Sequence, residues 1–196
     1  MNSLGLFSYY NYSITSFRIQ RKLRFSHPIE DRPQAANDRS ERGHWEADTV
    51  AGKTGSSCLI TLACSKSRLL LSLKIPKKTS AHVRDGMIQL LSALPPELVR
   101  SVTPDRDMEF AKHAEISTAL NDVPFFFPPP HSPRMRGTNE NTNGLIREYC
   151  PKSSDLDSFN PAFFAAFTNK ISLRPRKCLG WRSPVEIFFN QLLHLT

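Results

Sequence analysis

The chain has 196 residues, enough for one ordinary domain with a tail, and its 39% hydrophobic and 22% charged residues are near globular values. Lys and Arg exceed Asp and Glu by 26 to 18, a net charge of +8 that favours a polyanionic partner such as nucleic acid. No apolar run approaches the roughly 20 residues that span a bilayer, so a membrane partner is not expected.

The first 43 residues differ from the rest. Met1 to Phe17 is aromatic and uncharged, and Tyr9, Tyr10 and Tyr12 interrupt any apolar stretch, so no secretory signal is expected. Arg18 to Gly43 is charged, and Pro28 and Pro33 break it. Residues 1–28 read as a divergent, poorly ordered arm, with a short helix over Tyr12 to Phe25 as the alternative. Residues 29–196 read as one domain.

Trp45 to Val50 reads as a strand, closed by a turn at Gly52-Lys53-Thr54-Gly55. Cys58 to Cys64 is a continuous apolar run of strand length, as a central buried strand requires. Leu69, Leu71, Leu73 and Ile75 then alternate on one face. Three strands with short connections predict an antiparallel meander. Thr79 or Ser80 can cap a helix whose Val83, Met87, Leu90, Leu91 and Leu94 form one stripe, ended by Pro95-Pro96. Leu98 to Thr103 predicts a strand, Glu109 to Leu120 a helix, and Val123 to Phe127 another strand. That order places two parallel strands beside the meander.

The last third reads as helical. Gly137-Thr138 starts a helix towards Tyr149. Asn160-Pro161 is a cap with Pro at the first helical position, and Phe159, Phe163, Phe164, Phe167 and Ile171 line one side. Ser183-Pro184-Val185-Glu186 is a capping box before Phe188, Phe189, Leu192 and Leu193. The phenylalanines read as core rather than as base-stacking platforms. Cys58, Cys64, Cys150 and Cys178 show no zinc spacing, and a reducing cytosolic compartment is expected.

Three acids stand out by position: Asp48 within the first strand, Asp105 just past a later one, and Glu140 at a helix start. Open α/β sheets place their sites at such strand ends. Three converging carboxylates would repel one another unless a hard cation such as Mg²⁺ or Mn²⁺ lay between them. Ordinary roles stay open as well: a helix cap for Asp105 and a dipole-complementing carboxylate for Glu140.

The strings DRSERGHWEADTVAGK (Asp38 to Lys53), RGTNENTNGLIREYCPK (Arg136 to Lys152) and RPRKCLGWRSPVEIF (Arg174 to Phe188) resemble the IS-thirty family of bacterial insertion-sequence transposases. The resemblance covers roughly residues 29 to 190. It implies an RNase H-like α/β catalytic domain of the Asp-Asp-Glu recombinases, related to retroviral integrases. The expected sheet is mixed and five-stranded, three antiparallel strands then two parallel, flanked by helices. The family's catalytic and metal-binding carboxylates fall on Asp48, Asp105 and Glu140. The implied chemistry is DNA strand cleavage and strand transfer with Mg²⁺ or Mn²⁺, two ions in all, acting on double-stranded DNA at transposon ends and target. A homo-oligomer on DNA and a nucleoid-associated, cytoplasmic bacterial location are also implied. The alternative is a truncated remnant that binds DNA, or joins a full-length transposase, without catalysing the reaction.

Secondary roles are expected for neighbours. Glu46 shares a strand face with Asp48 and reads either as a support for it or as an ordinary strand residue. Asn139, Asn141 and Asn143 flank Glu140 and can orient it or meet DNA. Arg136 and Arg147 can meet phosphates. Lys170, Arg174, Arg176, Lys177 and Arg182 form a basic stretch that reads as a DNA track or a solvated face. The family's usual Asp-Asn-Gly is Asp105-Arg106-Asp107 here. A glycine at the third position permits positive φ at no steric cost, so Asp107 is expected to carry strain, and Arg106 to pair with Asp105. The family's end-recognition helix-turn-helix is not apparent in residues 1–43, as in a truncated copy. The stretch around Asn121-Asp122 reads as one residue longer than usual.

Overall fold

The computed structural model describes residues 27–130, 135 and 137–190. The expected arm therefore lies outside the described residues, except for its last two. These form β1 (His27–Pro28), followed by the short helix α1 (Gln34–Asn37). The meander follows as β2 (His44–Ala51), β3 (Cys58–Cys64) and β4 (Leu70–Ile75). Helix α2 (Ser80–Ser92) leads to β5 (Ser101–Thr103), α3 (His113–Ala119) and β6 (Phe126–Phe127). The chain ends in α4 (Gly137–Arg147), α5 (Pro161–Leu173) and α6 (Pro184–Phe189).

The main sheet has the order β4-β3-β2-β5, antiparallel except for the parallel β2–β5 pair. β6 joins β5 in parallel through one bridge, Val102 to Phe125, and carries β1 on its far side. The fold is thus the mixed sheet expected, with a thin fifth strand and an additional edge pair that the sequence did not announce.

The apolar run of β3 is explained by two covered faces. Cys58, Ile60, Leu62 and Cys64 point into one core with Trp45, Ala47, Val83, Met87 and Phe188. Leu59 points to the other, with Val50, Ile146, Phe164, Phe167 and Ile171. Period-two alternation then puts Glu46 and Asp48 on the same face as Val50, the face that α4 and α5 cover. The packing of α2 against β3 is close: a Cβ on Gly86 would lie 2.5 Å from Ile60 Cδ1.

Caps read from sequence are formed. The Thr79 side chain accepts from the His82 N–H and that of Asn160 from the Phe163 N–H. Ser183 and Glu186 make the reciprocal capping box. Other boundaries move inward. The strand expected over Leu98 to Thr103 begins at Ser101, because Pro95-Pro96 sets a 3-10 turn over Pro96–Leu98. A second 3-10 turn, Met108–Phe110, takes the start of the helix expected at Glu109. Phe189 is 50% exposed rather than buried, and Leu192 and Leu193 lie outside the described residues. Asn121 and Asp122 both adopt left-handed φ, 58° and 60°, at the turn into β6. The cysteines are free thiols, and burial pushes the Cys58 thiol up to about 11.

Candidate active site

Parallel pairing sets the level of the site. Glu46 of β2 lies opposite Thr103 of β5. Two residues on from this pair are Asp48, within β2, and Asp105, just past the end of β5. Asp105 thus follows the carboxyl end of a parallel strand, where α/β sheets place ligands.

Helix α4 docks on this face by polar contacts. Glu46, 3% exposed, accepts the Asn139 backbone N–H at 3.0 Å and the Ser65 hydroxyl at 3.4 Å. A buried carboxylate on β2 thus satisfies a first-turn donor of α4, in the favourable sense for a helix dipole. One turn on, Asn143 Nδ2 donates to Asp48 Oδ2 at 2.8 Å. The other carboxylate oxygen, Asp48 Oδ1, accepts the Thr49 N–H at 2.8 Å. Glu140 lies between these contacts in sequence and is exposed. Asp48 thus lies on the sheet against α4, Asp105 follows the end of β5, and Glu140 is exposed on α4.

Among the described residues, the carboxylate trio that can bring one oxygen each within 4.8 Å of the others is a different one: Asp105, Asp107 and Glu109. Asp105 Oδ1 accepts the Asp107 N–H at 3.0 Å. Glu109 is buried, accepts from Thr49 Oγ1 at 2.8 Å and pairs with Lys78 Nζ at 2.7 Å. Lys78 also lies 3.6 Å from Asp107. Burial works to lower the Lys78 pKa, but its hydrogen bond to Glu109 and the surrounding carboxylates outweigh that and raise it. Sequence reasoning missed Lys78, Asp107 and Glu109. The alternating acids at 105, 107 and 109 were the available signal.

One expectation about this loop changes. Asp107 has φ −69° and ψ 153°, ordinary extended backbone, so its replacement of glycine carries no positive-φ strain. The Arg106 guanidinium reaches across the loop, where Nε donates to the Pro128 carbonyl at 2.5 Å.

The basic residues fall into separate groups. Asn139 is buried, and its amide has no hydrogen-bond partner among the described residues, so it faces the protein rather than DNA. Arg147 donates to the carbonyls of Ala51 and Cys150 at 3.1 and 3.2 Å, tying the end of α4 to β2. Lys170 lies 5.9 Å from the centre of the Tyr149 ring. Arg174 is exposed, 3.7 Å from Glu148, and Lys177 is exposed. Arg176 is half-buried and donates to the Ile171 carbonyl at 3.3 Å. Arg182 donates to the Glu186 carbonyl. Arg136 lies outside the described residues.

No protein-family model matches the chain. Individual relatives do. The transposase for insertion sequence element IS1086 of Cupriavidus metallidurans is 39% identical over 168 residues, 86% of this chain and 49% of the relative. Transposase InsI for insertion sequence element IS30C of Escherichia coli is 41% identical over 160 residues, 82% of this chain and 41% of the relative. A probable transposase for element IS1161 of Streptococcus salivarius is 32% identical over 173 residues, 87% of this chain and 48% of the relative. The chain spans about half the length of the curated relatives it matches.

Among solved structures, the catalytic core domain of BIV integrase superposes with a TM-score of 0.59 at 16% identity, over 76% of this chain and 95% of that one. A simian T-cell lymphotropic virus intasome in complex with a PP2A regulatory subunit gives a TM-score of 0.62 at 15% identity, over 80% of this chain and 58% of that one. At such identity the likeness establishes the fold, that of an integrase catalytic core. The chain thus has the integrase-core fold, and its homologues are IS30-family and other insertion-sequence transposases, 32–41% identical over most of its length.

Proposed function

We propose that this chain carries the metal-dependent DNA cleavage and strand-transfer chemistry of transposition, with Asp48, Asp105 and Glu140 as its working carboxylates. The observation that supports the reading is the parallel register of β2 and β5, with Asp48 on the first and Asp105 just past the end of the second, and the hydrogen bond from the helix that bears Glu140 to Asp48. Hard carboxylate oxygens fit Mg²⁺ or Mn²⁺, and two ions held there would neutralise charge on both sides of an in-line displacement at phosphorus.

The protein's own residues set the geometry. Asn143 fixes one oxygen of Asp48 and the Thr49 N–H the other. Glu46 holds the first turn of α4 and so the position of Glu140. Water attacks a phosphodiester at the element's end, the bond from phosphorus to the 3′ oxygen breaks, and a 3′-hydroxyl remains. That hydroxyl then attacks a target phosphodiester and displaces another 3′ oxygen. Exposed Lys170, Arg174 and Lys177 are the candidate contacts to double-stranded DNA. The reaction joins two ends to a target, which calls for an oligomer, at the nucleoid of a bacterial cytoplasm. Among the described residues, no helix is long and apolar enough to cross a membrane.

A second reading, a remnant that binds DNA without cutting it, is favoured by Lys78, whose ammonium already lies among Asp107 and Glu109. The test is incubation of the full chain with a duplex of an insertion-sequence terminal repeat and Mn²⁺. The expected result is a new 3′-hydroxyl end that depends on the metal. Salt-sensitive binding with no cleavage in Mg²⁺ or Mn²⁺ would establish the second reading instead.

A further inference from the structure

A cavity of about 190 Å³ opens at the start of α4 and is lined by Arg39, Arg68 and Arg176 with Gly137, Thr138 and Cys178. The three arginines come from three distant parts of the chain: the loop after α1, the β3–β4 turn and the segment after α5. Arg39 Nη2 would lie 3.7 Å from a Cβ on Gly137, so its guanidinium stands over the first residue of α4. Arg68 Nη1 donates to the Thr138 hydroxyl at the second. Among the described residues, none of the three forms an ion pair with a carboxylate.

This arrangement inverts the usual electrostatics of a helix start. A helix N-terminus carries a partial positive charge and is stabilised by anions. Here two guanidinium groups sit on its first two residues and a third closes the cavity. Burial lowers the pKa of Arg68 and of Arg176; the neighbouring arginines, Arg39 on Arg68 and Arg68 on Arg176, add to this, and Cys178 opposes it on both. Glu46 is the nearby carboxylate that acts on Arg68, but it is committed to the Asn139 N–H. Arg39 and Arg68 also hold φ of 56° and 64°, a left-handed conformation uncommon outside glycine. Strained residues that converge on one cavity are a mark of a binding site.

We infer that Arg39, Arg68 and Arg176 form a pocket for one phosphate group. Guanidinium forks from three directions suit a tetrahedral oxyanion better than a planar carboxylate, which offers two oxygens. The first turn of α4 supplies a positive dipole end as well. The pocket lies about 7.5 Å along α4 from Asn143, at the helix rise of 1.5 Å per residue. A backbone phosphate of DNA held there would lie beside the carboxylate site. Naming DNA as the source rests on the function proposed above; the pocket itself does not.

The test is thermal unfolding of the full chain in inorganic phosphate and in chloride at equal ionic strength, with Arg39→Gln and Arg176→Gln beside the wild type. Phosphate at roughly ten times its Kd should raise the wild-type midpoint by about 3 °C for a chain of this size. Both variants should lose that rise. Arg39 is exposed, so Arg39→Gln keeps the test valid if Arg176→Gln folds poorly. No rise in the wild type, or an equal rise in wild type and variants, overturns the pocket. Duplex binding across a salt series then identifies the source. A backbone phosphate predicts that the log–log salt slope falls by about 0.9 in each variant. An unchanged slope, with the phosphate response lost, assigns the pocket to a free phosphate. Metal-dependent cleavage is scored separately, so failure of the pocket and failure of the proposed chemistry are distinguishable.

Discussion

Replacing Glu46 with alanine removes one carboxylate and leaves two buried donors, the Asn139 N–H and the Ser65 hydroxyl, without their acceptor. An unsatisfied buried donor costs about 1–3 kcal/mol. The hydroxyl can rotate, and its 3.4 Å contact is long, so most of the cost falls on the N–H. Glu46 also offsets charge on Arg32 and Arg68, both half-buried cations. A loss of about 2–3 kcal/mol is expected for Glu46→Ala. Glu46→Gln keeps an oxygen for the N–H but not the charge, and charge-assisted bonds are about twice as strong as neutral ones. Its loss should be about 1 kcal/mol. Urea unfolding reads both: with a slope of roughly 2 kcal/mol/M, Glu46→Ala lowers the midpoint by about 1 M. A Glu46→Ala midpoint within about 0.2 M of wild type would refute the claim that this carboxylate anchors α4.

Gly86→Ala should destabilise by about 1–3 kcal/mol in the same assay, because its Cβ would lie 2.5 Å from Ile60 Cδ1. Ser183→Ala removes one half of the capping box of α6 and should cost about 1 kcal/mol. Burial depresses the pKa of both His44 and His113 below the ordinary 6.5. The unfolded chain therefore binds more protons just below pH 6.5. This contribution to stability is complete above that pH and is lost as pH falls towards the folded values. The melting midpoint should drop between pH 7.5 and 5.5, and less steeply in His113→Gln.

Much of the architecture was legible because local signals agreed with one another. The run Cys58–Cys64 required a strand with both faces covered, and α2 on one side and α4 with α5 on the other provide the cover. The caps at Thr79, Asn160 and Ser183 were readable because each is a local exchange between a side chain and a backbone donor a few residues on. The short strands were less legible: β6 is two residues long and is held by tertiary contacts with β1 and β5 rather than by its own pattern. At the site, the parallel pairing of β2 with β5, which carries Asp48 and leads into Asp105, followed from strand order. The Glu46 to Asn139 bond, the Lys78 to Glu109 pair and the three-arginine cavity did not. Each joins residues far apart in sequence, and no period or spacing encodes such a contact. Asp107 shows the converse: a glycine at this position permits positive φ, but the backbone here is extended and carries no such strain.

The proposed set of Asp48, Asp105 and Glu140 shares Asp105 with the clustered acids of residues 105–109, and one measurement separates the two. Metal-dependent release of a 3′-hydroxyl end from a terminal-repeat duplex is compared for the wild type, Glu140→Gln and Asp107→Asn. If Asp48, Asp105 and Glu140 do the work, Glu140→Gln abolishes cleavage while Asp107→Asn, at an exposed side chain already beside Lys78, retains most of it. Cleavage that survives Glu140→Gln and disappears in Asp107→Asn would contradict the assignment and move the chemistry to the loop of Asp105, Asp107 and Glu109.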